Sequence, residues 1–449
     1  MAKLTESKHK EFVVHHEKIL WTRFIMIFLG LWLFFVPIAF DYYDSSRAML
    51  LNDMILGVIV VICSIFAFLP MSKFFPYVLA IAGIWLNFAP LIFWAPIPVM
   101  YLNDTIVGCL IIAFSILIPS VPGEFLYDDG PSVPAGWSYN PSSWPQRLPT
   151  MCLAVISWFF ARYMAAYQLG YSNNMWDPFF GNEGTLQVIT SSLSKSFPIS
   201  DAGLGAMAYC IEFLMGAKGG TRRWYTMPWL VVCFGILVVP LGVISILLVC
   251  SQPIIVHHWC TWCLGAAICC MFMITFAINE VIAVCQYMAS ECKKGRGRWD
   301  VLWKGGTPSG ATKDTRTPGF LSSKGQIFSC LRWGVTFPWN LFLTAIFGIW
   351  LMVSPFALNL TGLAADSNYV FGALTVVVSV VAMAEVVRAI RFFIVLFGAW
   401  EIVSIWVLKY PPLSQGVWIN FVIGILMILV CIPKGKILEK YGTWDKRIF

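Results

Sequence analysis

Charge is what this chain has least of. Only 12% of its 449 residues are Asp, Glu, Lys or Arg, about half the roughly 25% of a soluble domain. Hydrophobic residues make up 59%. That scarcity excludes a soluble globular enzyme and predicts a polytopic membrane protein. The formal charge of +7 implies no nucleic-acid partner, because the basic residues follow membrane topology. No cleavable signal peptide is expected either: residues 1–20 are polar and carry Lys3, Lys8, Lys10 and Lys18, so they read as a cytoplasmic N-terminal segment. Cysteine is plentiful, at 14, but no disulfide scaffold is implied. Cys63, Cys109, Cys152, Cys233, Cys269, Cys270 and Cys431 lie inside apolar runs and read as small buried hydrophobes.

Apolar runs of spanning length fall near 21–40, 50–69, 76–95, 103–120, 149–169, 202–217, 228–250, 259–285, 335–357, 368–386, 392–408 and 416–432. The expected fold class is therefore all-α, with about twelve transmembrane helices. If the N-terminus is cytoplasmic, the clusters Lys218/Arg222/Arg223, Lys293/Lys294/Arg296/Arg298, Arg388/Arg391 and Lys434/Lys436/Lys440 fall inside. Only Arg47, Arg162, Lys195 and Lys409 then lie on or near the outside. This satisfies the positive-inside rule. Both termini are expected in the cytoplasm of a bacterial inner-membrane protein, and segment 251–258 outside.

The chain repeats itself. Gly30-Leu-Trp32 through Pro37 is followed by Asn52-Asp53 and Gly57. Gly83-Ile-Trp85 through Pro90 is followed by Asn103-Asp104 and Gly108. Gly348-Ile-Trp350 through Pro355 is followed by Asn368 and Gly372, and Gly398-Ala-Trp400 by Asn420 and Gly424. Each unit reads as a helical hairpin of about fifty residues, its glycines allowing close helix approach and its Asn an N-cap. These units resemble the SPW-repeat family, over 21–120 and 333–433. That resemblance implies no chemistry. Asp53 and Asp104 read as caps, Glu385 as a partner of Arg388, and Glu401 has no evident partner. The Gly-, Pro- and Ser-rich stretches 121–147 and 291–332 read as cytoplasmic linkers, the second mobile, and 434–449 as a cytoplasmic tail.

The remaining core, 148–290, holds Val256-His257-His258-Trp259-Cys260-Thr261-Trp262-Cys263. Cys260 and Cys263 share one helix face and open an apolar run. The spacing puts them at a helix N-terminus on the membrane boundary, where free N–H groups and the helix dipole favour a thiolate. His258, two residues before Cys260, is placed to stabilise that thiolate or relay protons. Upstream stand a short surface helix at Thr185–Ser192, a span opened by Ser200 or Asp201 as N-cap with Gly205 and Tyr209, and a basic turn at Arg222-Arg223.

In that order these features resemble the vitamin K epoxide reductase family, over roughly 150 residues. The resemblance implies a central four-helix bundle between the two pairs of repeat hairpins. It further implies a redox Cys-x-x-Cys beside a quinone cofactor (ubiquinone or menaquinone), and a thioredoxin-like extracytoplasmic thiol protein as donor. Cys263 would face the quinone, Cys260, nearer water, would exchange disulfides with the donor, and Ser191 or Ser192, Asp201 and Tyr209 would line or support the pocket. The departures are specific. Loop 170–201 contains no cysteine, with Asp177 and Thr185 roughly where the family's second pair would stand, and Ala267 replaces an aromatic residue. Two other readings stay open: a non-catalytic quinone- or lipid-binding module, and a soft-metal site built on His257, His258 and the cysteines.

Overall fold

The computed structural model describes residues 19–68, 74–117, 130–319, 321–408 and 415–448, without the side chains of 415–417. Most of the expected N-terminal segment and the turn containing Lys409 lie outside the described residues. The chain forms helices α1 (Trp21–Ala39), α2 (Arg47–Phe66), α3 (Phe74–Ile92), α4 (Pro98–Ile116), α5 (Trp144–Gln168), the short α6 (Asn182–Ile189), α7 (Asp201–Ala217), α8 (Pro228–Ser251) and α9 (Thr261–Lys293). After these come α10 (Trp339–Ala357), α11 (Leu363–Val381), α12 (Phe393–Val407) and α13 (Gln415–Cys431). Among the described residues, ten helices are long and apolar enough to cross a membrane. The expected spans 202–217 and 416–432 are helical but only 17 residues each, as α7 and α13.

Glycine explains the repeat. Helices α1 and α2 cross where Gly30 meets Gly57, so closely that a Cβ on Gly57 would lie 2.6 Å from the Gly30 carbonyl oxygen. The same meeting recurs at Gly83/Gly108, Gly348/Gly372 and Gly398/Gly424. Without a hydrophobic force between helices in lipid, such backbone contact supplies the packing.

The asparagines do not cap. Helix α2 starts at Arg47, where Ser46 accepts from the Met49 N–H, and α4 starts at Pro98, so Asn52 and Asn103 sit more than a turn inside. Each instead receives an indole from the other hairpin: Trp85 Nε1 donates to Asn52 Oδ1 (2.8 Å) and Trp32 Nε1 to Asn103 Oδ1 (2.9 Å). Asn52 and Asn103 then donate to Asp53 and Asp104 (3.0 and 3.1 Å). These two carboxyls are fully buried within hydrogen-bond reach of one another. They are not caps.

Counting back four residues from each second-helix glycine puts Asn368 and Asn420 at the places of Asp53 and Asp104. Ser367 and Ile419 then stand where Asn52 and Asn103 do. Trp400 Nε1 accordingly donates to Ser367 Oγ (2.9 Å). Ile419 offers no acceptor, and Trp350 Nε1 has no partner among the described residues.

In the centre, α5 packs on α7 and α9, and α8 on α9. Opposite the Cys260 end the bundle is closed by a buried ion pair, Arg223 Nη2 to Glu280 Oε2 at 2.5 Å, with Ser142 Oγ also donating to Glu280. Arg147 ties the same region by donating to the carbonyls of Gly216, Lys218 and Gly219.

The linkers are corrected. Val133, Trp137, Tyr139, Tyr441 and Ile448 pack with Ile282, Ala283 and Val386 in one apolar cluster. Backbone bridges Val133–Thr312 and Trp137–Tyr441 join 130–143 to the second linker and to the tail. A few aromatic residues spaced through polar sequence suffice to anchor these segments, so the described part of 291–332 is packed rather than mobile. Among the described residues Glu385 makes no direct hydrogen bond to Arg388, although its charge acts on that guanidinium. It accepts from the N–H groups of Leu438 (2.9 Å) and Glu439 (3.1 Å) and from the Tyr441 hydroxyl (2.8 Å). Arg388 donates to Thr336 and the Met383 carbonyl. Glu401 is buried with neither carboxylate oxygen bonded among the described residues.

Overpacking a close crossing costs roughly 1–3 kcal/mol or more. Gly57→Val is therefore expected to lower the SDS- or heat-unfolding midpoint, whereas Gly325→Ala, where an added Cβ meets nothing within 4 Å, leaves it unchanged.

Candidate functional site

The site begins where α8 gives way to α9. The end of α8 widens into a π-turn over Gln252–Val256. His257 then takes a left-handed conformation (φ 59°), its Nδ1 3.0 Å from the Pro253 carbonyl oxygen. This reversal leaves His257 and His258 exposed and brings Cys260 in as the extended N-cap of α9. The Cys260 N–H donates to Gln252 Oε1 (3.0 Å), and its sulfur accepts from the Cys263 N–H (3.4 Å). The sulfurs of Cys260 and Cys263 lie 3.9 and 3.4 Å from Met164 Sδ.

Cys263 is half-buried, and the surface it keeps is turned to a cavity of about 220 Å³. Leu204, Leu241, Ile244, Leu248, Val249 and Ala266 form much of its wall, while Gln168, Ser191, Ser194, Asp201 and Gln252 supply polar atoms near the cysteine end. Gln168 organises them. Its Nε2 donates to Asp201 Oδ1 (2.5 Å), Ser194 Oγ (3.0 Å) and the Ile189 carbonyl (3.1 Å), and its Oε1 accepts from Ser200 Oγ (2.5 Å). Ser200 also caps α7 by accepting from the Gly203 N–H (2.9 Å). Tyr209 lines the cavity on α7, its hydroxyl 3.3 Å from Cys270 Sγ.

The cavity thus brings together Cys263, Ser191, Asp201 and Tyr209. It does not gather Ser192 or His258. Helix α6 ends at Ile189 rather than at Ser192, and the turn that follows carries Ser191 inward and leaves Ser192 exposed. His258 points to solvent, outside the lining. Among the described residues, no three His, Cys, Asp or Glu side chains converge as metal ligands. Gln168, Gln252 and Met164 had escaped notice in the sequence, although a lone glutamine at the edge of an apolar span is the kind of signal that marks a site.

Cys260 is not where water reaches it: it is 0% exposed. The cause lies at the two positions where the resemblance leads one to look for cysteines. Asp177 accepts from the Thr185 hydroxyl, from Thr261 Oγ1 (2.5 Å) and N–H (2.9 Å), and from the N–H groups of Phe179 (2.9 Å) and Phe180 (2.8 Å). Burial alone would raise this carboxyl's pKa. The Thr185 and Thr261 hydroxyls and the backbone donors outweigh burial and hold it well below the usual carboxylate range. The loop is thereby clasped over the start of α9.

The Cys263 thiol is the main cause that brings the Cys260 pKa down to about 7 from 9.0, against the opposing effect of burial. The N–H groups of Cys263 and Trp262 add to it.

Fold and site together define an integral membrane protein of apolar helices in which a closely spaced cysteine pair meets an apolar cavity. Residues 148–278 match the vitamin K epoxide reductase family, and 20–118 and 338–432 match the SPW repeat domain. The chain carries a vitamin K epoxide reductase family domain flanked by SPW-repeat segments. No curated protein and no solved structure matches it.

Two substitutions test the clasp. Thr185→Val removes the hydroxyl that donates to Asp177 and is expected to speed alkylation of Cys260 several-fold at pH values above its midpoint. Asp177→Asn loosens the loop and is expected to speed alkylation about tenfold at pH values above the midpoint. Mass spectrometry of the alkylated peptide reads both.

Proposed function

We propose that this protein is a membrane thiol:quinone oxidoreductase with twelve spans and both termini in the cytoplasm. On this reading a bacterial inner membrane holds the chain with Cys260 and Cys263 on the extracytoplasmic side, as the distribution of Lys and Arg supports. The observation that carries the reading is the position of Cys263 in the wall of an apolar cavity within the matched domain.

The cavity chemistry suits a quinone. Its walls are mainly aliphatic, with polar groups at Gln168, Ser191, Asp201 and Gln252 and others at Tyr209 and Ser245, as a polar ring with an apolar tail requires. Ser191 accepts from the Ser194 N–H (3.3 Å), which leaves its own O–H to donate to a ring carbonyl, beside Asp201 and Gln168. Ubiquinone or menaquinone, when bound, takes up two electrons and two protons and leaves as the quinol. Cys260 and Cys263 supply them by closing into a disulfide, two S–H bonds breaking as one S–S bond forms. Gln252, which bonds the Cys260 N–H, holds the start of α9 so that Cys263 keeps facing the cavity. Met164, against both sulfurs, excludes water from them. A thioredoxin-like extracytoplasmic dithiol returns the electrons by exchange at Cys260, and the Asp177 clasp must open for it to do so.

That clasp also favours a second reading, in which the domain binds quinone without turning over, since Cys260 is sealed. One assay separates the two. Purified protein is reduced and mixed with a short-chain quinone, and quinol and the cysteine disulfide are both followed. The oxidoreductase is expected to form both, and Cys263→Ala to lose quinone reduction on the order of 100-fold or more. Full activity in Cys263→Ala would sink the reading. Binding without disulfide formation would establish the second.

A further inference from the structure

Two other cysteines meet outside the cavity lining. Cys109 lies on α4, in the N-terminal repeat pair, and Cys210 on α7, in the core. They are 101 residues apart in sequence, and their sulfurs are 2.7 Å apart. Both are free thiols in this structure, and their contact, closer than the ~3.5–4.0 Å of ordinary carbon–carbon packing, leaves only a short approach to the roughly 2.05 Å of a disulfide bond.

The surroundings hold both thiols in place. On the Cys109 side, Asn87 Oδ1 accepts from the thiol at 3.8 Å. The adjoining Gly108 is pressed against α3, where an added Cβ would come within 2.5 Å of Asn87 Nδ2. Arg162 on α5 donates to Thr105 Oγ1 (2.7 Å), one turn before Cys109, and lies 4.5 Å over the Tyr101 ring. Its charge acts on both sulfurs. Both α3 and α4 pack on α7 here, so the two cysteines stand at the seam between repeat and core.

Their depth matters as well. Each lies roughly 13–17 Å along its helix from the end nearest Cys260, at 1.5 Å per residue. This is inside the apolar span, out of reach of water-soluble thiols.

We propose that Cys109 and Cys210 form a second redox site, closing into a disulfide that staples the N-terminal repeat pair to the core. Two S–H bonds break, one S–S bond forms, and the two electrons and two protons pass to a quinone dissolved in the bilayer, which becomes quinol. No part is required of Cys260 or Cys263. Once closed, the bond persists, because hydrophilic reductants do not enter the span. Cys109, expected from the sequence to be a small buried hydrophobe, takes a redox role in this arrangement.

The test uses the full-length protein in native membranes. Free thiols are trapped in situ with membrane-permeant N-ethylmaleimide, and the chain is then digested without reduction and mapped by mass spectrometry. The wild type and a Cys260→Ser/Cys263→Ser variant are treated in parallel. A linked peptide joining Cys109 and Cys210 is expected in both, and it disappears on reduction in denaturant. Recovery of Cys109 and Cys210 as maleimide adducts in the wild type, even after a short-chain quinone has been added, would overturn the staple. Because the mapping reads Cys109 and Cys210 directly, that result is distinguishable from inactivity at Cys263. Equally, the linked peptide in the double variant supports the staple whether or not the first pair turns over.

Discussion

Asp177 accepts five hydrogen bonds, from the Thr185 hydroxyl, from both donors of Thr261, and from the N–H groups of Phe179 and Phe180. Through them one carboxylate fixes three things at once. It folds the loop, it anchors α6 by Thr185, and it holds the first residue of α9 by Thr261. Cys260 is buried because that loop is closed, and its sulfur caps α9 because the helix begins where Asp177 pins it. Hydrogen bonds to a charged acceptor are among the stronger ones available to a protein, about 1.5–3 kcal/mol each. A loop held this way opens rarely.

Away from the clasp, the bundle is secured by polar groups that the membrane would otherwise penalise. At the far end, Arg223, Glu280 and Ser142 satisfy one another, and Arg147 completes the layer by bonding three backbone carbonyls. A buried ion pair of this kind contributes little net stability but is costly to break, so it fixes how α9 meets the turn between α7 and α8 and the start of α5 more than it strengthens that meeting. The Gln168 network does the same at the Cys260 end. Between these two polar layers lies the cavity, apolar because α7 and α8 contribute aliphatic side chains there.

Much of this was legible in the sequence, and the reasons are physical. Scarcity of charge gave the membrane, and the repeated Gly and Trp gave the hairpins, because helix crossings need glycine at a fixed spacing. The Cys-x-x-Cys marked the start of α9, since a polar N-cap must precede an apolar run. What escaped the reading depends on distance in space rather than along the chain. The Asn–Trp bonds join different hairpins, so Asn52 and Asn103 looked like caps of their own helices. The second linker looked mobile because what holds it, the backbone bridge of Thr312 to Val133 and the pairing of Arg316 with Glu439, joins it to residues far away in sequence. Ser191 and Ser192 differ solely by which side of a turn each occupies, and no composition records that.

The bonds between the first two hairpins have a further meaning. Trp32 reaches Asn103 and Trp85 reaches Asn52: one contact, made twice in opposite directions, as at the isologous interface of a two-fold dimer. The N-terminal repeat pair is in that sense a homodimer joined into one chain, and neither hairpin is complete without the indole of the other. In the C-terminal pair the symmetry has lapsed, with Trp400 keeping Ser367 while Ile419 offers Trp350 no acceptor. The unit this contact defines is therefore the pair of hairpins rather than the single repeat.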